Sequence, residues 1–244
     1  MKLLGLNTIA IILASLMFSS CGHMDFCIDG QGEIVTETLT ISSFNGIDLA
    51  VAATVNIYQG SEQEVVVIGH ENIIDKLRTD VKGDQWEIDL GNACFNHYDL
   101  TVNIIVPALR DVQISGAGKV TIHDFDNQSD LDLDISGLGN IELNKFEGAE
   151  SIFFNVSGSG EITAFEEISD VKNLDVRVSG VCDFNGYPII SENCWIDISG
   201  TGSYHVYCEE ELDIDISGAA KVYYRGFPAI NQRVSGVGRV VDDN

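Results

Sequence analysis

Residues 114–120 read Ile-Ser-Gly-Ala-Gly-Lys-Val, a glycine-rich stretch with a lysine directly after its second glycine. Taken alone, the stretch resembles a loop that binds a phosphate group. A P-loop, however, needs a glycine at the position of Gln113 and a hydroxyl side chain at the position of Val120, and a dinucleotide fingerprint needs a third glycine at Thr121. Both phosphate motifs therefore fail here.

The stretch is the first copy of an internal repeat. The other copies are ISGLGNI at 135, VSGSGEI at 156, VSGVCDF at 178, ISGTGSY at 198, ISGAAKV at 216 and VSGVGRV at 234. From Ser115 to Ser235, successive serines are 21, 21, 22, 20, 18 and 18 residues apart. A period near twenty is typical of one coil of a β-solenoid. The sequence therefore predicts an all-β fold, a parallel β-solenoid with about seven coils of 18–22 residues.

The residues around each serine have the period-two pattern of a strand. The residue before the serine is always isoleucine or valine, and the residue two positions before that is apolar in all copies but the last, which has Gln232. This alternation predicts a strand with one face in a core. Another apolar or aromatic residue follows five positions after each serine and predicts a second strand beyond the turn.

The Ser-Gly pair at each turn is interpreted as structural. We expect the glycine to let the chain reverse direction through a positive φ angle. Cys182 and Ala220 replace the second glycine, so small size is expected to matter more at that position. The serines are predicted to stack about 4.8 Å apart, with their hydroxyls bonded to the neighbouring coil. No histidine or carboxylate recurs at a fixed distance to activate them as nucleophiles.

The part of the chain before residue 110 is less regular. Its apolar pattern predicts strands at 47–57, 64–68, 85–90 and 100–106, with a turn after the first strand and a short helix at 70–78. We expect this part to cover or continue the first coil, which gives a single solenoid domain over residues 37–244.

The amino terminus predicts export. A positively charged end precedes an apolar stretch over 3–16, and small residues precede Cys21, as in a signal peptide. The segment resembles the lipobox of bacterial lipoproteins, in which the cysteine is acylated, although Phe18 stands where leucine is usual. We therefore predict a lipoprotein signal peptide over 1–20, a lipid anchor at Cys21 and a tether over 21–36. Ordinary secretory cleavage is the alternative.

Charge and cysteine content narrow the classes of partner. Without residues 1–20 the chain has 38 acidic residues against 12 lysines and arginines, a formal charge of −26, which disfavours nucleic acid as a partner.

The cysteines beyond Cys21 are Cys27, Cys94, Cys182, Cys194 and Cys208. Because their number is odd and an exported chain meets oxidising conditions, at least one thiol must be free or bonded to another chain.

Outward-facing residues make one side of the predicted solenoid acidic. We define the acidic strip by eight of them: Asp132, Asp134, Phe153, Asp175, Trp195, Asp197, Asp213 and Asp215. Its two aromatic residues could stack on sugar rings or anchor a protein partner. The alternative is ordinary cross-strand packing on a solvated sheet.

Several segments match a known family. They are residues 44–47 (Phe-Asn-Gly-Ile), 59–60 (Gln-Gly), 65–67 (three valines) and the repeated Ser-Gly-x-Gly segments. On these segments, over about residues 37–240, the chain resembles the putative autotransporter adhesin head GIN domain family, frequent in exported lipoproteins of Bacteroidetes. The resemblance implies a parallel β-solenoid in an exported cell-envelope protein, with no catalytic residues to carry over.

These observations leave three functions open. The first is a non-catalytic binding or adhesion module, anchored to the membrane through Cys21 and binding a glycan or a protein, with the outer membrane as the expected location. The second is a calcium-dependent lyase acting on acidic polysaccharide, although carboxylates stacked in a line do not converge as calcium ligands must. The third is a purely structural envelope protein. We favour the first, with no cofactor and no metal site.

Overall fold

The computed structural model describes residues 27–244. The predicted signal peptide and the predicted anchor at Cys21 lie outside these residues. Within them the regular secondary structure consists of strands and one short helix, α1 (Glu71–Ile74). No helix in this range is long and apolar enough to cross a membrane.

The strands fall into an irregular group and a regular group. The strands before residue 107 are β1 (Ile28–Asp29), β2 (Ile34–Leu39), β3 (Gly46–Leu49), β4 (Ala52–Gln59), β5 (Glu64–His70), β6 (Val81–Lys82), β7 (Gln85–Ile88), β8 (Phe95–Asn96) and β9 (Leu100–Val106). The strands of the repeat are β10 (Asp111–Ile114), β11 (Ala117–Ile122), β12 (Leu131–Ile135), β13 (Leu138–Leu143), β14 (Ser151–Val156), β15 (Ser159–Ala164), β16 (Ile168–Val178), β17 (Val181–Ile198), β18 (Thr201–Ile216), β19 (Ala219–Arg225), β20 (Ala229–Val234) and β21 (Arg239–Asp242).

Parallel pairing stacks the repeat strands into a β-solenoid, as predicted. The strand segment before each Ser-Gly corner pairs with the equivalent segment of the next coil, and these segments form the first face. The segments after the corners pair in the same way and form the second face. The seven corners are separated by six turns of the solenoid.

The core is a column of apolar side chains between the faces. Ile114, Ile135 and Val156, which precede successive corner serines, are each at most 1% exposed. Phe154 of the first face and Phe184 of the second meet with their ring centroids 4.8 Å apart. Stacking equivalent apolar residues in each coil removes a continuous strip of apolar surface from water, which stabilises the column as a unit.

One coil lies out of chain order. β3 pairs in parallel with both β7 and β10, and β4 pairs in parallel with both β9 and β11. Residues 46–59 therefore form a coil between those of residues 85–106 and 111–122. The prediction of one strand over 47–57 is wrong, because the chain turns a corner between β3 and β4. The strand after it does not fold back on β4, since β5 pairs with β2 and β9 instead.

Antiparallel strands cover the amino-terminal end of the column. β5 pairs with β9 and β2 pairs with β5, both antiparallel. The predicted short helix is present, and its apolar side chains Ile73 and Ile74 are buried. A disulfide joins Cys27 to Cys94, beside the two-residue strands β1 and β8. This end of the solenoid is therefore both covered and cross-linked.

The other cysteines of the described region are buried thiols. Cys182, Cys194 and Cys208 are free, which accounts for the odd number of cysteines. Burial, together with the neighbouring carboxylates of Asp183 and Glu161, raises the pKa of the Cys182 thiol to about 12. This thiol is therefore protonated at neutral pH and has the character of a core side chain.

The glycine after each corner serine has a different role from the predicted one. Residues with positive φ occur elsewhere, as at Gly148, but the seven glycines that follow the corner serines do not include one. A Cβ on Gly180 would lie 1.8 Å from the carbonyl oxygen of Gly158, and a Cβ on Gly158 would lie 2.0 Å from that of Gly137. Glycine is needed because adjacent coils touch there. The chain turns between two faces at this point and does not reverse.

The side chains of the corner serines also make fewer hydrogen bonds between coils than predicted. All seven corner serines are exposed, and of these seven only Ser115 donates its hydroxyl to another described residue, the carboxylate of Asp48, at 2.6 Å. The corners are held by backbone instead, as where the N–H of Ser136 donates to the carbonyl of Ile114 at 3.0 Å. The backbone supplies the regular bonds between coils, so the serine side chains remain available to solvent.

Candidate binding surface

The eight residues of the acidic strip lie on the first face, in two neighbouring rows. In-register pairing places each outward side chain beside its equivalent in the next coil. The first row contains Asp132, Phe153, Asp175, Trp195 and Asp213, and the second contains Asp134, Asp197 and Asp215. The strip is thus one continuous surface, and its role in binding stays a prediction.

The structure adds residues to the strip that the sequence reasoning left out. Asp111 and Asn231 extend the first row, and Asp48, Asn155, Arg177 and Arg233 belong to the second. The same alternation identifies all of them as outward-facing. The strip as predicted contains acids and aromatics only, whereas the pairing register also brings amide and guanidinium groups beside the carboxylates.

A shallow hollow surrounds Trp195 on this strip. It has a volume of about 210 Å³, and its polar lining comes from Asp197, Asp213, Asp215, Asn231 and Arg233. The Asn231 amide donates to Asp213 at 2.6 Å, and the Arg233 guanidinium donates to Asp215 at 3.2 Å. The Trp195 side chain is 41% exposed, so part of its ring is open to a ligand.

A second hollow surrounds Phe153, two coils nearer the amino-terminal end. It has a volume of about 340 Å³, and its polar lining comes from Asp132, Asp134, Asn155, Asp175 and Arg177. The Asn155 amide donates to Asp134 at 2.7 Å, and the Arg177 guanidinium donates to both oxygens of Asp175, at 3.0 and 2.6 Å. Phe153 is 38% exposed.

The two hollows have the same chemical composition. Each contains one exposed aromatic ring, three aspartates, one asparagine and one arginine. Phe153 and Trp195 lie two strand spacings apart in the same row, which is about 10 Å. The first face therefore presents two similar sites along a line, an arrangement suited to a ligand that itself repeats.

The carboxylates of the strip crowd one another at its amino-terminal end. The pKa of Asp111 is raised to about 6, mainly by burial and also by the carboxylates of Asp134, Asp132 and Asp48, while a hydrogen bond from Gln85 opposes the rise. Burial also raises the pKa of Asp132, with smaller contributions from neighbouring carboxylates. A surface of this kind favours ligands that donate hydrogen bonds or carry positive charge.

A larger hollow on the second face is less suited to stacking. It has a volume of about 480 Å³, next to a ladder formed by Tyr187, His205 and Tyr223. The rings of His205 and Tyr223 stack on each other at 4.9 Å, and the guanidinium of Arg225 lies 4.0 Å from the centre of the Tyr187 ring. These ring faces are already occupied, whereas the described residues place no other ring against Phe153 or Trp195.

The side chains of the described residues do not form a metal centre. Between residues 27 and 244, no three histidine, cysteine, aspartate or glutamate side chains are grouped so that they could hold a metal ion. The six aspartates of the strip are spread along the column, and four of them, Asp134, Asp175, Asp213 and Asp215, accept bonds from amide or guanidinium groups. Calcium needs six to eight oxygens around one point.

Comparison with known proteins places the fold in a family. Residues 43–228 match the family described as "Putative auto-transporter adhesin, head GIN domain". The chain belongs to this family. The match spans the coil of residues 46–59, strand β5 and helix α1 of the amino-terminal cover, and the strands that carry the acidic strip. The family resemblance found in the sequence is therefore confirmed.

Three of the solved structures with a similar fold come from species of Bacteroides and Parabacteroides. A "putative adhesin" from Bacteroides fragilis is 20% identical, with a TM-score of 0.77 and coverage of 87% of this chain and 98% of that chain. A "putative adhesin" from Parabacteroides distasonis is 21% identical, with a TM-score of 0.65 and the same coverage. A "putative lipid binding protein" from that species is 19% identical, with a TM-score of 0.68 and, again, the same coverage. These likenesses concern the head GIN fold. No curated protein matched the chain.

Proposed function

We propose that this protein is a non-catalytic module that binds glycan chains on the acidic strip and holds them at the cell envelope. One observation carries the proposal: two hollows of the same composition lie along one face, each with an exposed aromatic ring. An aromatic ring can stack on the apolar face of a sugar. The carboxylates, amides and guanidinium groups around it can bond the sugar hydroxyls.

The charge of the strip narrows the class of glycan. A uronate-rich polysaccharide would bring further carboxylates against aspartates such as Asp132, whose pKa is already raised by burial and by neighbouring acids. Neutral sugars avoid this repulsion, and amino sugars gain from the negative potential. We therefore infer that the ligand is a neutral or amino-sugar chain that lies along the solenoid axis and contacts both hollows.

The comparisons support a binding role over a catalytic one. The family description and two of the similar structures are named as adhesins, and another is named for lipid binding. A rigid solenoid that presents repeated shallow sites is suited to holding a long ligand. This supports binding or adhesion as the activity, without catalytic residues.

We expect Trp195→Ala to weaken binding to a neutral or amino-sugar polysaccharide by tenfold or more. The indole is the largest exposed ring of the strip, and removing a central aromatic anchor costs about 1–2 kcal/mol or more in binding. Binding is measured by affinity electrophoresis and calorimetry against β-glucan, galactomannan, chitosan and polygalacturonate.

The matched control is Phe165→Ala, which removes an aromatic side chain that is 56% exposed and lies outside the strip. This control is expected to bind like the wild type, and Trp195→Phe is expected to retain most of the affinity. Equal binding by Trp195→Ala and the wild type would remove the strip as the site. Binding to protein ligands in place of all four polysaccharides would assign the protein-adhesion alternative.

We also propose that Cys21 anchors the protein to the outer membrane through acyl chains. The support is the lipobox-like segment before Cys21 and the absence of an aspartate at residue 22, where the inner-membrane retention signal has one. Cys27 is tied by its disulfide to the folded body only six residues later, so the solenoid would stay within about 20 Å of the anchor. Two or more acyl chains are enough to hold a soluble domain stably at a bilayer.

We expect Cys21→Ser to move the protein from the membrane fraction to the soluble fraction and to abolish labelling by radioactive palmitate. The physical reason is that the anchor supplies the apolar area that partitions into lipid. Fractionation with immunoblotting measures both effects. Cys182→Ala is the control, because it removes a buried thiol of the solenoid and should leave the protein in the membrane fraction. A palmitate label that persists on Cys21→Ser, or a wild type that carries no label, would contradict the anchor.

A further inference from the structure

The carboxyl-terminal coil leaves its core positions open. Ile230 and Val234 of β20 stack on Leu212 and Ile216 of β18. The inner pair is fully buried, yet Ile230 and Val234 are each 41% exposed. β20 pairs with β18 along one edge, and no strand of residues 27–244 pairs with its other edge. An open edge presents a row of unpaired N–H and C=O groups.

The exposed apolar side chains of this coil are arranged symmetrically along the chain. Ile230 and Val234 lie two residues before and after Gln232, and Phe227 and Val237 lie five residues before and after it. Phe227 is 90% exposed and Val237 is 86% exposed. Gln232 is the residue that breaks the apolar row of the repeat, and it stacks on Ile214.

The charge of this end differs from that of the rest of the molecule. Residues 219–244 contain four lysines and arginines and two aspartates, whereas residues 27–218 contain 8 basic and 35 acidic residues. Two copies of the protein repel each other through their acidic bodies. The repulsion is smallest where the carboxyl-terminal coils face each other.

We propose that a second copy of this chain covers the open end, through antiparallel pairing of β20 with β20 around a two-fold axis at Gln232. In this register Ile230 faces Val234 of the second copy, and Asn231 faces Arg233. Gln232 faces its own equivalent, and its side-chain amide can donate and accept at the same time. Phe227 and Val237 flank the strand at matching distances.

The symmetry favours a second copy over an unrelated strand. A two-fold interface requires that residue i contact residue j and that residue j contact residue i. The order Phe-Ile-Gln-Val-Val around Gln232 meets this condition, and apolar positions stay on the core side in both copies. The resulting dimer is closed, joins two columns end to end, and leaves both acidic strips exposed.

Gln232→Cys tests the register directly in cells producing the full chain. We expect a disulfide-linked band of twice the chain's mass on a non-reducing gel, since the axis places the two residues opposite each other. Adding Val234→Lys to this variant should abolish the band. Leu138→Cys is the matched control at another position, 63% exposed, and should give no such band.

Sedimentation of the purified chain tests the association itself. We expect a dimer that Val234→Lys weakens at least tenfold, that Leu138→Lys leaves unchanged, and that added salt strengthens by screening the acidic bodies. Circular dichroism confirms that the variants are folded. The proposal is overturned if the chain is a monomer at all concentrations up to about 100 μM and Gln232→Cys gives no dimer band. It is also overturned by bands larger than the dimer, which would indicate an open, head-to-tail contact.

Discussion

Gly180→Ala is expected to destabilise the solenoid by about 3 kcal/mol or more. The added methyl group would lie 1.8 Å from the carbonyl oxygen of Gly158 and 2.7 Å from that of Ser157. Both are backbone atoms of the adjacent coil, so the collision is relieved only by separating two coils that are hydrogen-bonded on both faces. The loss is measured by denaturant unfolding.

Ser179→Ala is the matched control, since it changes the preceding, exposed residue of the same corner and should alter stability by less than about 0.5 kcal/mol. Gly180→Asn separates the two explanations for the glycine. Asparagine tolerates positive φ better than alanine does. A milder effect of asparagine than of alanine would therefore favour a backbone-angle requirement and contradict the close approach of coils.

Removing the disulfide is expected to lower stability by about 4 kcal/mol. The bond between Cys27 and Cys94 has a sequence separation of 67 residues, and a cross-link over a loop of this length restricts the unfolded chain strongly. The variant carries serine at both positions, so that no unpaired thiol is created. Denaturant unfolding with and without a reducing agent measures the change.

The reducing agent provides the internal control. It should lower the stability of the wild type by about the same amount and leave the double variant unchanged, because Cys182, Cys194 and Cys208 are already thiols. A wild type that is equally stable when reduced would show that the cross-link contributes little. It would also show that β5 and its neighbours hold the amino-terminal cover without covalent help.

The repeat predicted the solenoid because its apolar residues recur at the same position of every copy, and they can all be buried only if the coils stack. Ile114 and its equivalents place one apolar residue before every corner, and such a row can be buried only if each coil lies on the last. The outward alternation also predicted that Phe153 and Trp195 lie on the same side of the solenoid. These features follow from strand geometry, which alternates sides with a period of two.

Other features depend on contacts that a single sequence does not reveal. The alternation over residues 47–57 continues across the corner between β3 and β4, so the pattern alone reads as one strand. The glycine of each corner is needed because adjacent coils approach closely there, and not because of its backbone angle. Either requirement selects glycine, so the sequence does not distinguish them. The hollows became apparent only when the register placed Asn155 and Arg177 beside Phe153.

The coil of residues 46–59 constrains the order in which the molecule can assemble. As the chain is made from its amino terminus, this segment appears before both of its neighbours, which are residues 85–106 on one side and 111–122 on the other. One edge of the coil can pair once residues 85–106 have been made, but the other edge stays unpaired until the chain extends past residue 122. Once closed, the coil is held on both edges by later segments, so unfolding cannot begin by peeling this first-made coil from an end of the column.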